Sequence, residues 1–218
     1  MIRTDLKILS LNLGQPETIH FRERTYVTGI RKKPVGDSLQ IGAELCTNDS
    51  VLDRRFHGGR DKAVYIISTQ TYDWWRSQSS HTTLPYGHLG ENITLEGLDE
   101  NHIFVGDVLQ LGSVILQVTQ PRLPCGTLNA ALQDLAAGKK MVQSGMPGVY
   151  FRVLKPGTVH RDDVVKWVSN QARGPSISRL FQSLVAKKIS TPDRQAILLI
   201  EDLAPSLQAD LESLKIAD

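Results

Sequence analysis

Cysteine is scarce in this chain: of 218 residues only Cys46 and Cys125 carry a thiol. Two thiols cannot form the disulfide framework that staples small secreted domains, so each has to be judged by its own surroundings. Long apolar runs are missing as well. The longest aliphatic stretches, Ala196 to Ile200 among them, fall far short of the roughly 18 to 20 residues that a membrane-spanning helix needs. Asp5 and Lys7 interrupt any apolar stretch at the amino end, so no secretory leader is read there and the expected location is the cytoplasm. An excess of one charge is lacking too: 25 Lys and Arg stand against 23 Asp and Glu, for a net charge of +2. So even a balance argues against binding a nucleic-acid polymer, which takes a strongly basic face.

What is present suffices for a core. Hydrophobic residues make up 40% of the chain and charged residues 22%, ordinary values for a folded domain. Up to Val165 the apolar pattern is short and rich in Val, Ile and Leu: Ile8 to Leu13, Ser38 to Leu45, Ala63 to Ile67, Val108 to Leu111, Val114 to Thr119 and Tyr150 to Leu154. Gly112-Ser113 between two of these runs predicts a hairpin turn. Many short strands with irregular loops point to a β-barrel. Two helices interrupt them. Ser68 caps one running through Tyr72 and Trp75, and Thr127 caps another carrying Leu128, Leu132 and Leu135 until Gly138 stops it. Beyond Gly174-Pro175 the period becomes helical, with Ile177, Leu180, Phe181, Leu184 and Val185 on one face and Pro192 and Pro205 in first-turn positions. The expected fold class is therefore mainly β with helices (α+β): a β-barrel-like domain over residues 1–172, then a small three-helix unit over 173–218.

Cys125 lies in Gln120-Pro121-Arg122-Leu123-Pro124-Cys125-Gly126-Thr127, leaving a predicted strand and entering a predicted helix. Two prolines stiffen this loop, and both Arg122 and the helix amino end favour a thiolate. A small buried thiol is the plainer reading of any lone cysteine. Cys46, with no cation beside it, reads as packing. In His57-Gly58-Gly59-Arg60-Asp61-Lys62 the glycines let backbone approach a ligand and the cations suit an anion, although such a segment is commonly just a turn. Gly87 to Asn92 reads equally as a turn or as the edge of a heterocycle site. Arg31-Lys32-Lys33 reads first as a solvated face. Of Trp74 and Trp75, at least one belongs to the core.

Six motifs, TGIRKKPV, HGGRDKAVY, GHLGEN, GDVLQLG, QPRLPC and GVYFRVLKPG, occur in an order that resembles the MOSC family, named for the C-terminal domain of molybdenum-cofactor sulfurase, and within it the YiiM-like branch. The resemblance runs from about Thr28 to Val168, and the helical tail resembles the three-helix domain of that branch. It implies a barrel-like fold in which Cys125 gives a thiolate to the metal of the molybdenum cofactor (Mo-molybdopterin). By position in the motifs, Lys32, His57, Gly58, Gly59, Lys62, Asn92, Arg122 and Arg152 are the implied cofactor contacts. Relatives of this kind reduce N-hydroxylated compounds such as hydroxylaminopurines to amines, with His57 the first choice of proton donor.

No flavin, haem or iron–sulfur signature accompanies these motifs, so electrons are expected from a separate reductase. Other members serve sulfur transfer, which leaves a persulfide carrier or a non-catalytic cofactor-binding module as alternatives. The tail reads as a cap on the barrel, a partner site or a homodimer interface. One departure stands out: where many relatives have Gly-Asp-x-Gln-Ala-Asp, this chain has Asn48-Asp49-Ser50-Val51-Leu52-Asp53, and substrate choice is expected to differ accordingly.

Overall fold

A computed structural model describes residues 5–53, 57–78, 83–169 and 174–217. The strands are β1 (Lys7–Leu13), β2 (Glu17–Phe21), β3 (Arg24–Thr28), β4 (Lys33–Pro34), β5 (Ser38–Ile41), β6 (Val64–Ser68) and β7 (Ile93–Glu96). After them come β8 (Val108–Leu111), β9 (Val114–Pro121), β10 (Val149–Lys155), β11 (Gly157–His160), β12 (Val165–Ser169), β13 (Lys188–Ile189) and β14 (Lys215–Ile216). The helices are α1 (Thr69–Ser77), α2 (Gly126–Leu132), α3 (Ala137–Ser144), α4 (Ile177–Ala186), α5 (Thr191–Leu198) and α6 (Pro205–Ser213).

Eight strands form the main sheet in the order β12-β8-β9-β10-β6-β7-β1-β4, and β5 pairs with β11 in a smaller sheet. The main sheet curls until Leu6, at the foot of β1, bridges Val165 in β12. The result is barrel-like, joined there by one bridge among the described residues. Within it β6 and β7 run parallel, and α1 lies on the connection between them as a parallel crossover requires. The β8–β9 hairpin turns at Gly112-Ser113 as expected, with Leu111 opposite Val114.

Alternation along β6 and β10 sends side chains to two buried faces. Val64, Ile66, Val149 and Phe151 join the core inside the curled sheet. Tyr65, Ile67 and Tyr150 join a second cluster with Tyr72, Trp75, Leu128 and Met141, contributed by α1, α2 and α3. Trp75 is in that core, with Trp74 edge-on against it at 5.3 Å.

Ser68 caps α1 by accepting from the Gln70 N–H at 3.2 Å, as the sequence predicts. The second helix differs from its expectation. Cys125, not Thr127, occupies its N-cap position, and the helix ends at Gln133 in the left-handed conformation. Asp134 then accepts from the Ala136 N–H at 2.8 Å and opens α3, inside which Gly138 falls. Gly138 is held there by the Asn129 side chain, which accepts its N–H at 2.9 Å, so local capping outweighs the helix-stopping tendency of a single glycine.

The tail forms the three helices read from its period, with Pro192 and Pro205 in first turns. Ile177, Leu180, Ile197, Leu207 and Leu211 enter the same apolar cluster as the curled sheet, so the tail and the sheet share a core. The boundary near 172 lies outside the described residues.

Candidate functional site

On the face of β6 and β10 that carries Tyr65 and Tyr150, a cleft of about 740 Å³, solvent at its mouth included, opens between four segments. Tyr26 to Ile30 form one wall, Asp49 to Asp53 the lip packed beside it, and His57, Lys62, Arg122 and Asn92 the polar lining. The floor follows from strand register: Tyr65 and Tyr150 are direct cross-strand partners, their rings 5.0 Å apart. The Arg122 guanidinium stacks 5.0 Å from the Tyr65 ring, and Lys62 Nζ lies 5.9 Å from that of Tyr150. Two flat aromatic faces with cations beside them suit a heterocycle bearing negative charge.

Cys125 stands beside this floor, where Arg122 Nη2 donates to its Sγ at 3.8 Å. Burial pushes the thiol up. A hydrogen bond from His57, the positive charges of Arg122 and His57, and the Leu128 N–H outweigh it and hold the pKa down at about 6. His57 in turn lies 3.5 Å through Nδ1 from the Tyr150 hydroxyl. Cys46 is the opposite case: fully buried beside Asp49, it is pushed up to about 12. The two thiols thus separate as their neighbours in the sequence imply.

A sign follows for pH. A thiol whose folded pKa lies below its unfolded one adds stability above the unfolded value and loses it as pH falls through the folded value. Thiolate absorbance of Cys125 is expected to titrate near pH 6. Its contribution to stability should grow between there and pH 9 by on the order of 3 kcal/mol. Arg122→Met should move the absorbance midpoint upward; an unmoved midpoint would remove Arg122 from the thiolate's field.

Lys32 is buried, and its charge is met by Asp49, which also accepts from Asn92 Nδ2 at 2.9 Å and from the Gly14 N–H at 2.7 Å. Asn92 Oδ1 accepts the Tyr65 N–H at 3.1 Å. Lys32 and Asn92 therefore line the cleft as parts of its frame. Gly87 explains how Lys32 is brought in: a Cβ there would sit 2.4 Å from the Lys32 carbonyl oxygen, at a φ of +90°. Arg31 is engaged as well, donating to the Ala131 carbonyl at 2.7 and 2.9 Å, so of the basic triplet only Lys33 is a solvated side chain.

Gly58 and Gly59 lead into a 3-10 turn at Arg60–Lys62 and do not line the cleft themselves. Arg152 is not in the lining either. It is 3% exposed and lies 2.8 Å from Asp61 and 2.5 Å from Asp202. The aromatic floor escaped sequence reading, although the two-residue alternation that places Tyr65 and Tyr150 on one strand face was available. Glu91 escaped it too: fully buried, it ties the loop before Asn92 by accepting from Tyr72 Oη at 2.7 Å, Thr94 Oγ1 at 2.8 Å and the Gly87 N–H at 2.5 Å.

Comparison with known proteins gives the family and the fold. The MOSC domain model matches residues 53–166. YflK of Bacillus subtilis, an uncharacterized protein, is 34% identical over 89% of this chain and 85% of its own length. A reductase of Gibberella moniliformis is 28% identical over 62% of this chain, which spans only 24% of that longer protein. The crystal structure of YiiM from Geobacillus stearothermophilus superposes with a TM-score of 0.78 at 26% identity, covering 95% of this chain and 97% of that one. No helix among the described residues is long and apolar enough to cross a membrane. With its cleft, its activated thiol and these relatives, the chain belongs to the MOSC domain family, which is associated with the molybdenum cofactor.

Proposed function

We propose that this protein binds the molybdenum cofactor through Cys125 and reduces N-hydroxylated compounds, hydroxylaminopurines among them, to amines. The observation that carries the reading is a thiol held at about 6 beside a cationic and aromatic cleft. The residues suit the group. Cys125 offers one soft donor, and among the described residues no trio of His, Cys, Asp or Glu converges as a metal site of its own. A metal at Cys125 therefore brings its other ligands with it, as a dithiolene does. Among the described residues the buried Arg122 Nε has no hydrogen-bond partner, a donor suited to a ligand's oxygen, and Lys62 adds a second cation for a phosphate.

When bound, the cofactor supplies two-electron redox chemistry. The reaction R–NHOH + 2e⁻ + 2H⁺ → R–NH₂ + H₂O needs a proton at the departing oxygen, and in this reading His57 gives it, a role supported by its hydrogen bond to Cys125. A separate reductase delivers the electrons in this reading, and the reaction takes place in the cytoplasm. The test is molybdenum and pterin content after expression in a cofactor-competent host, with hydroxylaminopurine reduction by an artificial donor. Metal-free protein that gains nothing on reconstitution would overturn the reading.

The same low-pKa thiolate supports a second reading, a persulfide carrier, which mass spectrometry of the Cys125 peptide would reveal as one added sulfur. Substrate preference rests on the lip. Val51 lines the cleft with Leu52 and Val27, and the latter two are 51% and 61% exposed. Exchanging either Leu52 or Val27 for serine is expected to raise KM about fivefold for aryl hydroxylamines, one apolar contact being worth roughly 1 kcal/mol. Hydroxylaminopurine should be little affected, and equal loss on both substrates would speak against an apolar subsite.

A further inference from the structure

The tail reaches the site through the loop between α5 and α6 and through α6 itself. Asp202, between α5 and α6, accepts from Arg60 Nη1 at 3.0 Å and Nη2 at 2.5 Å. Its Oδ2 also lies 2.5 Å from Arg152 Nη1, while Arg152 Nη2 is 2.8 Å from Asp61. Arg60 and Asp61 are the first two residues of the 3-10 turn whose third, Lys62, lines the cleft. His57, which bonds Cys125, lies three residues ahead of that turn. The turn is held from the sheet as well: Thr119 Oγ1 donates to the Asp61 carbonyl at 2.6 Å, and Ser206 of α6 donates to Gln120 at 2.8 Å. Asp210, further along α6, faces Lys62 electrostatically.

The exposed Arg60–Asp202 pair alone would contribute little. Arg152 changes its weight, because a buried guanidinium that loses one of two carboxylates is left partly uncompensated. Asp202 also holds a φ of +54°, a conformation non-glycine residues keep where surrounding contacts over-determine it. We infer that Asp202 is a positioning residue: through its two arginines the C-terminal unit clamps the turn at 60–62 and so fixes His57 and Lys62 at the cleft.

Two readouts on the full chain test this without any bound cofactor: hydrogen–deuterium exchange of residues 57–63, and the His57 ring resonances, assigned with His57→Gln. Asp202→Asn is expected to speed exchange of that segment about tenfold by local opening, leaving β1 and β7 protected. The His57 signals should shift and broaden, and Asp202→Glu should restore both. Unchanged exchange and unchanged His57 signals in Asp202→Asn would overturn the inference. So would loss of protection spread evenly over the molecule, the mark of a merely structural aspartate. If Asp202→Asn fails to fold, Arg60→Gln replaces it, with about threefold faster exchange confined to 57–63 expected and no change counting against.

Discussion

Cys125→Ala is expected to abolish molybdenum retention while leaving the fold intact. The two halves of that result rest on different observations. Cys125 is the N-cap of α2 but makes no side-chain capping bond, and its side chain is only partly enclosed. Its loss should move stability at pH 6 by no more than about 1 kcal/mol, since a small, partly enclosed side chain at the core's edge is removed. Near pH 9 the variant should lack the thiolate's contribution and fall further behind. Metal retention should behave otherwise, because a soft thiolate has no substitute in the cleft: Cys46 is fully buried and pushed up to about 12. Cys125→Ser should retain as little as the alanine variant, since a hydroxyl is a hard and protonated donor at neutral pH. Metal analysis beside a thermal melt reads both halves. Full retention in either variant would take Cys125 away from the metal.

A substitution in the backbone wall of the cleft should be nearly as damaging. Gly14, Gly29 and Ser50 stack backbone against backbone. A Cβ on Gly29 would fall 2.2 Å from the Ser50 carbonyl oxygen, and one on Gly14 would fall 2.1 Å from that of Gly29. The obstacle is steric, and its partners are main chain, so nothing can rotate away. Gly29→Ala is expected to cost about 3 kcal/mol, at the upper end of overpacking penalties. It should also drive Ser50 outward, and with it Asp49, whose carboxylate holds Lys32 and Asn92. Urea unfolding with ligand binding measures both effects. Gly36→Ala is the control: it has φ +84° and nothing within 4 Å, so only backbone strain of about 1 kcal/mol applies. Equal, small effects in the two variants would show that the wall can yield.

These two positions also mark what was legible in the sequence. Cys125 declared itself because its cues are local: two prolines, Arg122 three residues away and a helix start. The Gly112-Ser113 hairpin and the Ser68 cap were readable for the same reason. Lys32 was not, since its meaning depends on Asp49, 17 residues on, and a basic triplet looks solvated until a carboxylate is found for it. Arg152 shows the limit most clearly. Its place in a matched motif pointed to the cofactor, yet its partners are Asp61 and Asp202, and Asp202 lies in a tail whose docking no local pattern encodes. Thr127 and Gly138 failed differently: the helix starts at Gly126, ahead of Thr127, and the Asn129 side chain holds Gly138 inside the next one.

The lone bridge between Leu6 and Val165 has a meaning for synthesis in the cell. Strand β1 has its sheet partners in β4, in β7 and, at this seam, in β12. At 5 to 20 residues per second, the roughly 160 residues between the two ends of the seam take on the order of ten seconds to appear. Through that interval an apolar strand, with Ile8 and Leu11 destined for the core, has no completed sheet to enter. Nascent chains halted before residue 165 should therefore be the ones that chaperones hold, and release should follow the emergence of β12.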